Sequence, residues 1–385
     1  MPKISVVTSA YNHGKYIGQA IESVLGQTET DFDYIICDDA STDNTASVVK
    51  TFNDPRLKLV ANEHNSGSAV ASLRALERAT GNYIVWFSAD DVLELDALAK
   101  LRTALDEDSK LLAVAGLARF IGEEGQLTGE NWTDDGVGLD RFQLLNKLFY
   151  QRNVFCCPAF TVRREALDTV GYFPPHFKQI GDQALWTKLL FMGDVKVLPD
   201  QIVKFRIRDN LANGSAETWE TLSRFDFEIS ELLELFAEKI ESIETLIKIF
   251  PEAADFVWPQ KDALVQFFLA HIALQFPSAA YKLFGLRLMH RMMADRQMAK
   301  ILEDNCNFTY ADFFNLTGNT HIFKDHALRD RLFKAEQAVE EQSEEIERAS
   351  KYLRELEHSN QELLSSASWK LTAPLRLLRA RLRRE

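Results

Sequence analysis

Residues 81–93 read GNYIVWFSADDVL, and this stretch decides the fold. Tyr83 to Phe87 form an unbroken apolar run of aromatic and β-branched residues, the composition of a strand buried on both faces. The run stops at Ser88, Ala89, Asp90 and Asp91. Two adjacent carboxylates cannot continue into a core, so they belong to a loop at the sheet edge. Working outward, comparable runs stand at ISVVT (4–8), DYIICD (33–38), LKLVA (57–61) and LLAVAGLARF (111–120). Between them lie helical windows carrying Ile17, Ile21 and Val24, then Ala46 and Val49, then Leu73, Leu76 and Ala79. The alternation predicts an α/β fold, a mostly parallel sheet covered by helices over residues 4–121. In such sheets ligands bind beyond the carboxyl ends of the strands. That places attention on Thr8–Asn12, Asp38–Asp43 and Ser88–Asp91.

Composition narrows the function. A chain of 385 residues with 46% hydrophobic content exceeds one ordinary domain and can bury a sizeable core. The net charge of −13 excludes broad nucleic-acid binding, which needs a basic surface to neutralise phosphates. Cys37, Cys156, Cys157 and Cys306 lack Cys-x-x-Cys spacing and fit a reducing cytoplasm. MPKISVVTSAYN at the N-terminus has no signal-peptide h-region, and no apolar run reaches the roughly 18 residues of a membrane span. The expected setting is the cytoplasm, with at most peripheral contact with the inner face of the membrane.

Beyond residue 121 the pattern changes. Residues 122–214 mix glycine-containing loops with short apolar runs and the helix-like DQALWTKLLFMG (182–193), and residues 216–316 turn almost wholly helical without visible chemistry. From Leu332 a heptad begins: Leu332, Val339, Ile346, Leu353 and Asn360 share one position, Ala335, Gln342, Ala349, Leu356 and Leu363 the other. This predicts a coiled coil and hence a homo-oligomer, Asn360 fixing register at some cost in stability. The tail, SWKLTAPLRLLRARLRRE (368–385), places Leu371, Leu375, Leu378 and Leu382 on one helical face. Lys370, Arg376, Arg379, Arg381, Arg383 and Arg384 crowd elsewhere, the pattern of a basic amphipathic helix for an anionic membrane surface. Docking onto a partner protein or the coiled coil is the alternative. The predicted divisions are 1–215, 216–330, 331–366 and 367–385.

Asp90 and Asp91 suit a hard divalent cation, Mn2+ or Mg2+, that bridges carboxylates to nucleotide phosphates. Paired aspartates also precede helices, and LELDALAKL (93–101) follows.

Context separates these readings. TSAYNHGKYIGQAIESVLGQT (8–28), DYIICDDASTDNT (33–45) and NEHNSGSAVASLRALERATGNYIVWFSADD (62–91) stand in an order and spacing that resemble the family-two glycosyltransferases, nucleotide-sugar enzymes of GT-A fold. The resemblance covers about residues 3–215. It implies that Ser9, Tyr11 and Asp39 hold the nucleotide's base and ribose, with Thr8, Asp38, Ser88 and Ala89 beside them. Taken singly, Tyr11 also reads as an aromatic sealing the sheet edge and Asp39 as a turn or helix cap. The family's Asp-x-Asp is Ser88-Ala89-Asp90 here, which leaves Asp90, with Asp91, for the metal. Ser72 stands where relatives often carry Arg. CPAFTVRREALDTVGYFPPHFKQIGDQALWTKLL (157–190) resembles the acceptor-side segment and implies Asp182 as general base. VKFRIRDNLANGS (203–215) resembles the segment with an Arg-x-His pair over the diphosphate; Arg208 replaces the His, so the clamp is Arg206 or Arg208.

The implied activity is inverting sugar transfer from a nucleoside-diphosphate donor, UDP by preference, to a bacterial surface glycan or a lipid-linked acceptor. A sugar nucleotidyltransferase would share the carboxylates but wants a better phosphate loop than TSAYNHGK. A non-catalytic coiled-coil scaffold is the third class, suggested by the departures at Ser72, Ser88 and Arg208.

Overall fold

The computed structural model describes residues 3–131, 136–150, 153–208, 213, 214, 216, 218–320, 322 and 325–381. Its strands are β1 (Ile4–Ala10), β2 (Phe32–Asp38), β3 (Leu57–Ala61), β4 (Tyr83–Trp86), β5 (Val92–Leu93), β6 (Leu111–Ile121), β7 (Leu127–Asn131), β8 (Phe160–Arg163) and β9 (Asp194–Arg206). Among the described residues they form one sheet in the order β3-β2-β1-β4-β8-β6-β9-β5, with β7 on β6. The first four strands are parallel, as the β/α alternation predicts. The sheet as a whole is mixed rather than mostly parallel. β8 enters antiparallel between β4 and β6, and β5 runs antiparallel to β9.

The helices of this part are α1 (Ile17–Leu25), α2 (Thr45–Val49), α3 (Ser68–Leu76), α4 (Ala97–Glu107), α5 (Arg141–Tyr150), α6 (Arg164–Val170) and α7 (Gly181–Met192). Strand alternation divides the core between the two faces of the sheet. Val6, Ile36 and Val85 pack with Ile17, Ile21, Leu98 and Leu101 on one side. Val7, Ile35, Ile84 and Trp86 pack with Leu148 and Trp186 on the other.

That second core does not end with the sheet. It continues through Ile229, Phe236, Phe268, Met289 and Leu302 of α8 (Trp219–Lys239), α9 (Ile243–Ile249), α10 (Val265–Gln275), α11 (Ala279–Ala294) and α12 (Arg296–Cys306), with α13 (Tyr310–Asn319) following. On α8, Ile229, Leu232, Leu233 and Phe236 are buried at helical spacing. Thr218 and Thr221 cap its start reciprocally. The chain up to Gly318 is accordingly one compact unit, and residue 215 does not separate the helical stretch from the sheet. The sequence boundary followed a change in periodicity, which does not reveal a shared core.

Residues from Asn319 onward form the second unit. α14 (Asp325–Ser365) is an unbroken helix of 41 residues, about 60 Å long. Leu332, Val339, Ile346, Leu353 and Leu356 are exposed along it. α15 (Ala367–Leu371) and α16 (Ala373–Arg381) follow, so the tail is two short helices rather than one. Arg376 lies over the Trp369 ring, 3.5 Å from its centroid. Leu371, Leu375 and Leu377 are exposed. Leu382, Arg383 and Arg384 lie outside the described residues, as do the side chains of Leu363, Leu378 and Arg381. No helix among the described residues is long and apolar enough to cross a membrane.

Candidate active site

The loops that leave β1 and β2 at their carboxyl ends are tied together. Asn12 takes a left-handed conformation and accepts from Thr42 N (2.8 Å), its own N–H donating to Ser41 Oγ (3.0 Å). Ala40 also sits at φ 60°, where a residue with a Cβ is strained by about 1 kcal/mol or more. This kink follows Asp39 directly. The Asp39 carboxylate accepts from Asn62 Nδ2 (2.6 Å), Ser66 N (2.9 Å) and Gly67 N (2.8 Å). Gly67, at φ 90°, makes that approach without strain.

These loops open on a cavity of about 650 Å³, within the ~300–1,000 Å³ typical of small-molecule sites. Ser9, Tyr11, Asp39, Ser88, Ala89, Asp90, Asp182 and Arg208 all line it. Three carboxylates far apart in the sequence thus share one cleft. Thr8, Asp38, Asp91 and Arg206 do not line it. Thr8 is buried and donates to Phe87 O (2.8 Å). Asp38 is buried as the last residue of β2.

Asp91 and Arg206 require correction as site residues. Asp91 points inward and accepts from Arg206 N at 2.7 Å. Burial, reinforced by the charge of Asp90, pushes its carboxyl well above the ordinary range, and the side chain is buried away from the cleft that a donor-bound cation would occupy. Nor does Asp91 cap the following helix, because β5 intervenes and Asp96 flanks α4. Arg206 is fully buried. Its guanidinium donates to the carbonyls of Asp90 (2.7 Å), Gly122 (3.0 Å) and Glu123 (2.9 Å) and to Gln19 Oε1 (2.5 Å). It braces the loop that presents Asp90 with four of its five N–H donors and, being buried, does not line the cleft.

Arg208 is the arginine that faces the cleft. Its Nε lies 3.3 Å from Asp90 Oδ2. His13, which the sequence reading did not single out, approaches the same oxygen with Nε2 at 3.9 Å. Its Nδ1 accepts from Tyr11 N (3.2 Å), which assigns the proton of the neutral ring to Nε2. Burial lowers the His13 pKa, partly opposed by Asp90. The one hint in the sequence was position, two residues beyond Tyr11.

Among the described residues no three His, Cys, Asp or Glu side chains group into a metal site. Magnesium-type sites commonly use one or two carboxylates and complete their shell from substrate phosphates and water. Asp90 alone, facing the cleft, fits that pattern.

Asp182 stands in the first turn of α7. Its Oδ1 accepts from Gln183 N (2.7 Å) and its Oδ2 from Asn153 Nδ2 (2.6 Å). Burial outweighs these bonds and raises its pKa to about 6. α7 cannot readily shift: Trp186 is buried and stacks on Phe160, centroids 3.5 Å apart. Trp86, Phe173, Phe177, Lys178 and Cys157 also line the cleft. All four cysteines are free thiols, and burial holds Cys157 protonated.

Comparison with known proteins agrees with this geometry. Residues 5–171 match the family described as Glycosyl transferase family 2. TuaG of Bacillus subtilis, named as a teichuronic acid biosynthesis glycosyltransferase, is 28% identical over 239 residues, covering 60% of this chain and 88% of TuaG. WfgD of Escherichia coli, named as a UDP-Glc:α-D-GlcNAc-diphosphoundecaprenol β-1,3-glucosyltransferase, is 39% identical over 89 residues, 23% of this chain and 35% of WfgD. The crystal structure of Staphylococcus aureus TarS residues 1–349 with UDP superposes with a TM-score of 0.51 at 20% identity, covering 85% of this chain and 91% of that one. At that identity the likeness speaks for the fold. With a matching family domain, the corresponding fold and a cleft of this make-up, the chain carries a glycosyltransferase family 2 domain at residues 5–171 and is a glycosyltransferase of GT-A fold.

Proposed function

We propose that the enzyme transfers a sugar, with inversion, from a UDP-sugar to a hydroxyl of a growing surface glycan or lipid-linked acceptor. The observation that carries this reading is the convergence of Asp39, Asp90 and Asp182 with Tyr11 and Arg208 on one cavity. The names of TuaG and WfgD support the choice of acceptor, and that of WfgD supports UDP as carrier.

In this reading Tyr11 offers its ring to the base. Asp39, whose carboxylate already orders the Asn62–Gly67 loop, presents a remaining lone pair to the base's imide N–H. Ser9 and Ser88 offer hydroxyls to the ribose. Arg208 pairs with the diphosphate. A divalent cation, Mn2+ or Mg2+, held by Asp90 would neutralise charge on the leaving diphosphate. Asp182 accepts the acceptor hydroxyl's proton as that oxygen bonds to the anomeric carbon, and the bond from that carbon to the diphosphate oxygen breaks. The nucleoside diphosphate leaves with the bonding pair. One carboxylate suffices, because a leaving group neutralised in this way needs no proton.

A pKa of about 6 leaves Asp182 mostly deprotonated at pH 7. Only the deprotonated form is a base, so activity should rise with pH through about 6 and then level. Asp182→Asn should lower nucleoside diphosphate release by at least about 1,000-fold and leave donor affinity by calorimetry within a few-fold. Turnover near wild type would remove Asp182 as base, and release of pyrophosphate instead would point to nucleotidyl transfer.

The exposed heptad stripe of α14 supports a homo-oligomer built by pairing that helix with its copies. The exposed leucines and the basic residues of the tail support residence on the inner face of the cytoplasmic membrane, where a lipid-linked acceptor would be met.

A further inference from the structure

Among the described residues after 216, Glu228 is a buried charge aimed at the catalytic loop. Glu228 on α8 is 3% exposed. Its Oε1 accepts from Lys178 N (2.8 Å), and its Oε2 from Gln179 N (2.8 Å) and Ile180 N (2.9 Å). Three successive backbone N–H groups therefore close around one carboxylate, an arrangement that binds an anion well. The segment so held leads directly into Gly181 and Asp182, and Lys178, Gln179, Gly181 and Asp182 all line the cleft. Among the described residues no backbone carbonyl serves these three N–H groups, and burying them unpaired is costly. A second tie, from Gln179 Nε2 to Gly214 O (2.9 Å), joins the segment to the loop after β9.

We infer that Glu228 is a positioning residue for sugar transfer: from the helical region it fixes the Lys178–Ile180 segment and thereby the place of Asp182 in the cleft. The inference rests on Asp182 being the base. It makes the helical region a working part of the active site. A neutral glutamine would turn an N–H₂ group toward N–H donors, so Glu228→Gln breaks the cradle without changing the side chain's size. The charge has a second effect, because Glu228 is among the groups that raise the Asp182 pKa. The other groups around that carboxylate are Asn153, the backbone N–H groups of Asp182 and Gln183, and the Cys157 thiol. Lys178 and Arg208 line the same cavity.

The test is a pH profile of kcat, with donor KM, for full-length wild type, Glu228→Gln, Glu228→Asp and Asp182→Asn. Glu228→Gln should lower kcat by about 10- to 100-fold, as a misplaced reacting group does, with donor KM within about 3-fold. Its acid limb should move to lower pH than the wild type's. Glu228→Asp, keeping the charge one methylene back, should recover part of kcat with the limb near its wild-type position. Unchanged kcat in Glu228→Gln, or a fall in kcat with an unmoved limb and a raised donor KM, would overturn the inference. If Glu228→Gln does not fold, Glu228→Asp decides, since a wild-type kcat there overturns it too. Full turnover by Asp182→Asn would instead refute the base itself, a result separable from any behaviour of Glu228.

Discussion

Arg206 and Arg208 stand two positions apart, and in a continuing strand they would share a face. β9 ends at Arg206. Asn213 then brackets the exit, accepting from Arg208 N (2.7 Å) and donating to Arg206 O (2.8 Å). One arginine is thereby locked inside and the other turned to the cleft. Arg206→Met strands several buried carbonyls and should lower stability by about 3–5 kcal/mol, read by denaturant unfolding. Arg208→Ala should leave unfolding nearly unchanged and lower kcat/KM about 100-fold; the reverse pattern would exchange the two roles. The segment resemblance could only name both arginines, since choosing between them required the strand's end and the Asn213 bracket. Asp90 and Asp91 pose the same problem: adjacent carboxylates look equivalent until backbone direction sends one to the cleft and the other to Arg206 N.

At the scale of elements, local patterning is a good guide to the first four strands and a poor one to their neighbours. β8 is only FTVR, a short run in an aromatic-rich segment, and nothing local specifies that it pairs antiparallel with both β4 and β6. Its pairing is set by contacts distant in sequence. The helices after residue 216 show their periodicity plainly, yet periodicity does not say against what they pack. Nothing in that periodicity marks Glu228 as a buried charge. For α14 the pattern and the structure agree on a long helix, and the stripe of Val339, Ile346 and Leu353 lies open along it. Ile346→Asp should convert an oligomer to a monomer by light scattering and lower helicity by circular dichroism, whereas an unchanged mass would exclude α14 as the assembly element.

At the scale of the molecule, charge is unevenly spread. The chain carries −13 overall, yet residues 368–385 hold six basic residues and one acidic one. An acidic body should be repelled by an anionic bilayer while the tail is drawn to it. Deleting residues 368–385 should abolish sedimentation with phosphatidylglycerol vesicles, and raised salt should weaken binding of the intact chain; vesicle binding that survives the deletion would place the contact elsewhere. All of this presupposes the catalytic cleft. Its most direct test is a crystal structure of the chain with a UDP-sugar. The account predicts the base on Tyr11, the diphosphate between Asp90 and Arg208, and the anomeric carbon facing Asp182. A donor bound outside this cleft, or with its sugar turned away from Asp182, would contradict it.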